Sequence, residues 1–518
     1  MKKSYLFLCG LCAMTTLLTN SCSDEILVEE PSNFLTPDAL LVDRNGAETY
    51  LIGAYDAVQP IVSSGGQRQG GGGLEGWAIH WGTVGADEVV LPPWAGDRKL
   101  IYQHQVTPSV NTIRNIWENL YVALNRINSV IDRVGAMDAD AIDAEDRDKF
   151  VAEAKVLRTM VNFSLVSAWE NIVLLENETT DLNNVDLPQS PPEEVYAFMI
   201  KDLTEAAAVL PAEQGGGRAT KGFAQAFLGK VYLQMTGFPL NQTDKFALAE
   251  AALKDVMDSG VYNLVDSYPD VFTLSNEQNN EMVFSIGMDG PSKGEGGLLS
   301  TFYGPNGSVN NGGGWGTCFI NHTFTETYEE EDIRFLNNVA RHNANNWTPE
   351  EGLTNPASRT VGMNTWRGWK WHAEKPNAYP NDTPFDNPYI RYADVLLMYA
   401  EALNGQNKLD QATLNLTVNR LRSRARLTPD AVADMVVGSQ NEMAEEILSE
   451  RRKELCLEGW RRNDLIRAGN FKNRISGFTQ GGPNAGDPGL EFQDFEIRWP
   501  IPNSELEINT NLVQNPGY

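Results

Sequence analysis

Asp394 and Glu401 stand seven residues apart, and paired carboxylates are what cleavage of a glycosidic bond requires. On a helix the two share nearly one face but sit ~10.5 Å apart along the axis, at ~1.5 Å per residue. Retaining enzymes hold their carboxyls ~5–5.5 Å apart and inverting ones ~6.5–9.5 Å, so this pair fits neither geometry. Both acids interrupt an otherwise apolar stretch, where a carboxylate must be paired, and arginines crowd 420–426 and 451–462. A structural role is the better reading. Asp87 and Glu88 are adjacent, and neighbours in sequence seldom point at one ligand, so a loop or helix-cap role is expected. In ERRKELCLEGWRRNDLIR (450–467) the basic residues alternate with Glu450, Glu454, Glu458 and Asp464, the pattern of an ion-paired helix rather than of a polyanion site. The histidines at 80, 104, 322, 342 and 372 show no HExxH spacing. No Ser-His-Asp, Cys-His, zinc, nucleotide or complete calcium-loop signature emerges, and no cofactor or metal is expected. Cys456, between Leu455 and Leu457, reads as a buried thiol.

The chemistry that remains is binding by aromatic rings. A sugar has an apolar face and a rim of hydroxyls, which suits an indole or phenol face flanked by amide and charged groups. Burying ~60 Å² of apolar face contributes ~1.5 kcal/mol. Three such platforms supply ~4–5 kcal/mol, about millimolar affinity. Indoles are more often core than surface, but context singles some out. Trp315 lies in NNGGGWG and Tyr303 in FYGPNG, while Trp94 follows two prolines and precedes Asp97 and Arg98. The expected platform is Trp94, Tyr303 and Trp315, with Asp97, Arg98, Asn310 and Asn311 as hydrogen-bonding neighbours. Trp77 and Trp81 are second choices, and Trp117, Trp169 and Trp460 are expected in the core.

The elements that would position these rings are mostly helical. PYIRYADVLLMYAEAL (388–403) is apolar nearly all round when drawn as a helix, with Tyr389, Ala393, Leu396, Ala400 and Leu403 on one face, so it belongs inside a helical body. Further helices are expected at 46–58, 110–134, 144–169, 192–210, 221–235, 245–259, 409–425 and 440–467. Leu228, Gly229 and Tyr232 have the Leu-Gly-x-x-Tyr spacing of a tetratricopeptide unit. The stretches 63–109 and 262–387 lose helical periodicity, apart from a strand-like EMVFSI at 281–286.

The chain has 518 residues, enough for a large core. Lys2 and Lys3 precede an apolar run from Tyr5 to Leu18, too short to span a bilayer, which needs ~20 residues. Thr19-Asn20-Ser21-Cys22 looks like a bacterial lipobox, with Thr19 where leucine is usual. Lipidation of Cys22 is favoured over an ordinary secretory signal because the cysteine sits where cleavage is expected and an acidic, polar tether follows. Removing residues 1–21 takes away Lys2 and Lys3 and no acids, leaving 39 basic against 69 acidic side chains, a net charge of −30. Such a surface repels nucleic acid and strongly sulfated polysaccharides. With Cys9 and Cys12 removed and Cys22 lipidated, only Cys318 and Cys456 remain, which is no disulfide framework.

Six stretches, in order, resemble the SusD/RagB family of surface glycan-binding lipoproteins: the lipobox at Cys22, GADEVVLP (85–92), EAKVLRTMVNFSLVSAW (153–169), YIRYADVLLMYAEALN (389–404), ERRKELCLEGWRRNDLIR (450–467) and RWPIPNSELEINTNLVQNPGY (498–518). The resemblance implies a mostly α fold: a tetratricopeptide-like helical-pair scaffold with an irregular, loop-rich ligand-binding part containing a few short strands. It implies a signal peptide at 1–21, a lipidated cysteine and tether at 22–45, and one SusD-like domain at 46–518, with scaffold mainly at 46–62, 110–260 and 388–470. It also implies a non-catalytic binder of oligosaccharide, anchored by lipid at the outer-membrane surface, with a SusC-like TonB-dependent barrel as partner. A tetratricopeptide adaptor for protein segments, a binder of non-glycan nutrient within the same family, and a glycoside hydrolase are the rival readings.

Overall fold

The computed structural model describes residues 36–62, 76–92, 95–181, 185–288, 296–305, 314–341, 366–371, 384–478 and 492–518. Its principal helices are α1 Arg44–Ala57, α2 Asn111–Gly135, α3 Ala144–Trp169, α4 Pro192–Val209, α5 Lys221–Thr236, α6 Lys245–Asp258, α7 Tyr392–Gly405, α8 Gln411–Leu416, α9 Val418–Arg424, α10 Gln440–Glu454 and α11 Arg461–Arg467. Local signals set several of the ends. Asp143, Thr220 and Ser439 cap α3, α5 and α10 by accepting from the first-turn backbone, and Pro192 opens α4.

The helices pack in sequence order: α2 on α3, α3 on α4, α4 on α5, α5 on α6, α6 on α7, and α7 on α10. The fold is thus mostly helical, a row of helices each packed on the next, with a few short strands. Gly229 has the role its tetratricopeptide-like spacing implies. A Cβ built there lies 2.5 Å from Cγ of Leu253 on α6, so the two helices meet only because the side chain is absent. Gly229→Val is expected to push α5 off α6 and cost about 1–3 kcal/mol in a urea titration.

The strands are β1 Val89–Val90, β2 Met282–Ile286, β3 Phe319–Ile320, β4 Val339–Arg341, β5 Trp366–Gly368 and β6 Asn387–Arg391. One sheet has the order β1-β3-β5-β4 and the other pairs β2 antiparallel with β6. β6 corrects the expected helix at 388–403, which begins only at Tyr392. Residues 387–391 are extended because they pair with β2, and the short Pro-Tyr-Ile stretch within them satisfies strand and helix patterns alike. The expected 440–467 helix also breaks. It stops at Glu454, turns through Leu457 (φ 62°) and Gly459 (φ 85°), and restarts at Arg461. The 409–425 segment divides likewise at Thr417.

Candidate functional site

The turn at 457–460 is the floor on which the first irregular segment rests. Residues Ala78–Val84 form a π-helical turn, and a Cβ on Gly82 would fall 1.8 Å from the Gly459 carbonyl oxygen, so the two backbones touch. This buries both second-choice tryptophans. Trp77 is 1% exposed, edge-on to Trp460 at 5.9 Å. Trp81 is fully buried, donating Nε1–H to Asn463 Oδ1 at 2.7 Å under the Arg462 guanidinium. Their spacing of four, continued at Val84, was the missed signal of a helical core face. Trp117, Trp169 and Trp460 are buried as expected.

Tyr303 also departs from expectation. It ends a short helix, Leu299–Tyr303, all five of whose residues are buried, and its own exposure is 1%. The apolar LLSTFY turn draws the ring inward before the Gly-Pro that follows, so Tyr303 offers no open face. Trp94, Asn310 and Asn311 lie outside the described residues.

Trp315 keeps part of its indole open while its backbone is tied down. Its N–H donates to Thr301 O at 2.9 Å, and on either side Gly314 donates to Pro305 O and Gly316 to Gly304 O. Arg367, a residue the sequence did not flag, locks the same turn: its Nε–H donates to Gly316 O at 2.7 Å while its guanidinium stacks 3.8 Å over Phe319. Burial pulls that guanidinium down to about 9. A platform fixed in this way loses little freedom on binding.

Asp97 and Arg98 begin the helix Asp97–Tyr102, Asp97 exposed and Arg98 half-buried. Arg98 is close enough to buried His80 to add to the effect of burial in lowering that imidazole to about 3. His80 lies 6.2 Å from Phe302, which in turn meets Trp315 edge-on at 6.5 Å. Arg98 is thus connected to Trp315 through buried His80 and Phe302, and Trp369 on the second segment is half-buried.

The carboxylates that could have suggested hydrolysis are ion-paired. Asp394 meets Lys230 at 2.7 Å and Arg451 at 2.8 Å, Arg451 meets Asp464 at 2.9 Å, and Glu401 meets Arg467 at 2.6 Å. In the 450–467 stretch most partners come from distant segments rather than from the next helical turn: Glu450 and Glu454 hold Arg334, and Glu458 holds Lys370 and Arg391. The expected ion-paired helix is instead the junction between scaffold and irregular part. Among the described residues no group of three or more His, Cys, Asp or Glu side chains is placed to hold a metal ion. Cys318 and Cys456 are free, buried thiols, both pushed up by burial.

Asp87 and Glu88 are both buried and behave oppositely. Burial would raise Asp87, but Arg452 and Arg461, the latter at 2.7 Å, hold it well below the usual carboxylate range. Burial pushes Glu88 up to about 8 against the pull of Arg461, with the Asp87 charge adding to the rise. Below pH 4.5, its ordinary value, Glu88 is protonated folded or unfolded. Between there and about 8 the unfolded chain releases the proton more readily, so stability falls as pH rises. Glu88→Gln is expected to match the wild type near pH ~4 and exceed it by a few kcal/mol at most near pH ~9, read from urea midpoints.

Taken together, fold and site define a tetratricopeptide-like helical scaffold carrying an irregular part with an anchored, partly open indole. Two family models match: the SusD family over residues 280–518, and a family described as starch-binding associating with outer membrane over residues 95–233. The chain belongs to the SusD/RagB family. It is 25% identical to a SusD-like protein of Bacteroides ovatus over 471 residues, covering 86% of this chain and 79% of that protein. A SusD homolog of Bacteroides thetaiotaomicron superposes with a TM-score of 0.79 at 21% identity, covering 95% of this chain and all of the other. A laminarin binding SusD-like protein gives a TM-score of 0.71 at 24% identity, covering 92% of this chain and all of the other.

Proposed function

We propose that this protein is a non-catalytic, cell-surface binder of oligosaccharide or polysaccharide that delivers its ligand to a SusC-like TonB-dependent barrel in the outer membrane. The observation that carries the reading is Trp315, an indole half open to solvent and locked from behind by Arg367 and three backbone hydrogen bonds. Family membership supports it, as do the starch-binding description of one matching family and the laminarin ligand of one structural relative. The pairing of Asp394, Glu401 and Asp87 with cations supports a structural role for the acids the sequence singled out. Asp97, Arg98, Trp94, Asn310 and Asn311 remain in the proposal as hydrogen-bonding and stacking neighbours of Trp315, whereas Tyr303, Trp77 and Trp81 act as supports. The net charge of the processed chain favours neutral glycans over sulfated ones.

Lipid on Cys22 holds the protein at the membrane in this reading, and Cys22→Ser is expected to shift it from the membrane to the soluble fraction of cells. The function is tested by running the protein through native gels cast with neutral polysaccharides while assaying the same mixtures for new reducing ends. Retardation without new ends is expected. New reducing ends, or free migration in every gel, would overturn the proposal.

A further inference from the structure

A groove of about 490 Å³ lies on the scaffold between residues 212–218 and β2, within the ~300–1,000 Å³ usual for small-molecule sites. It shares no lining residue with the Trp315 neighbourhood. Four successive residues of β2, Met282 to Ser285, line it. The pairing of β2 with β6 is irregular between Met282 and Ser285, as at a bulge, and a groove that meets all four of these residues runs along the strand's edge. Among the described residues β6 is the one strand paired with β2, and the edge facing the groove carries main-chain N–H and C=O groups outside that ladder. Ser285, 5% exposed, has a buried hydroxyl with no hydrogen-bond partner among the described residues.

The opposite wall is Gly215, Gly216 and Gly217, which present bare main chain, and the rim carries the exposed amides of Gln278 and Asn280. The Arg218 charge is taken up by Glu153 and Glu48. A wall rich in uncharged donors and acceptors, with the exposed Glu213 carboxylate among them and without a free cation or a broad apolar face, suits neither a phosphate nor a lipid. It suits a neutral chain of hydroxyls. A second cleft of about 470 Å³ adjoins across Tyr262 and Val261, lengthening the trough.

We propose that this groove is a second saccharide-binding site, engaging a glycan through amide side chains, glycine main chain and the Ser285 hydroxyl. It extends the function proposed above to a second, independent set of residues, so that one polysaccharide gripped at both sites is retained more strongly than at either.

The test uses the full chain in detergent with laminarin, amylopectin, galactomannan and xylan as separate probes, read by hydrogen exchange and by gel retention. A Cβ on Gly215 meets nothing within 4 Å, so Gly215→Leu fills the groove without disturbing the fold, and Ser285→Ala removes the buried hydroxyl alone. At least one probe is expected to protect peptides 212–218 and 278–286 in the wild type and in Trp315→Ala. Gly215→Leu should abolish that protection and Ser285→Ala weaken it. In the chain that keeps Trp315, Gly215→Leu alone should lower gel retention by roughly tenfold. No protection of these peptides by any probe, protection that survives Gly215→Leu, or protection by an added peptide digest alone would overturn the proposal. If gel retention by Trp315 persists in those cases, the principal function stands; if the wild type is retained by no probe, both fail.

Discussion

Replacing Glu454 by alanine is expected to lower stability by about 3–5 kcal/mol and to loosen the irregular segments before the helices unfold. Its fully buried carboxylate touches Arg424 at 2.5 Å, Arg391 at 3.2 Å and Arg334 at 3.4 Å. Removing it leaves three guanidiniums short of counter-charge in a dry interior, although each keeps another acid: Glu281 for Arg424, Glu281 and Glu458 for Arg391, and Asp332 and Glu450 for Arg334. Arg334 and Glu281 belong to the irregular part and Glu454 to the end of α10, so this cluster clamps the ligand-bearing segments to the scaffold. Burial alone would raise Glu450 and Glu454, but the surrounding cations win and hold both below the ordinary range. Their stabilisation is therefore present at neutral pH and is lost only as pH falls through those depressed values. The variant should unfold at lower urea than the wild type and gain early hydrogen exchange in 281–286 and 332–338. An unchanged urea midpoint would show that the cluster contributes nothing net.

Trp315→Ala is the second large effect. One sugar platform contributes ~1.5 kcal/mol, close to tenfold in affinity. With Tyr303 buried, fewer platforms remain than the three that gave ~millimolar binding, so that loss takes the protein out of the range a gel retains and retention should vanish. The helical circular dichroism should not change, because Trp315 lies outside the helices and is only half-buried. Full retention by this variant would remove Trp315 from the site.

The long helices were legible because their signals are local. The segment 144–169 reads as a helix without reference to the rest of the chain, and the structure caps it at Asp143; Gly229 announced a close helix contact that Leu253 supplies. What failed depended on partners remote in sequence. The strand at 387–391 exists because 282–286 lies beside it. Trp77 and Trp81 are core because a turn nearly four hundred residues later receives them, and the glycines before them made the region read as loop. Tyr303 was judged by the Gly-Pro after it rather than by the apolar turn before it. Arg367 could not have been found, since nothing near it in sequence says that its guanidinium will reach Gly316.

The central claim is that this scaffold grips carbohydrate at its surface without cutting it. A glycan array probed with the protein lacking residues 1–22 tests it most directly. The account predicts signal on a related group of neutral glycans that is lost in Trp315→Ala. No signal on any glycan, or binding to peptide ligands in its place, would contradict it.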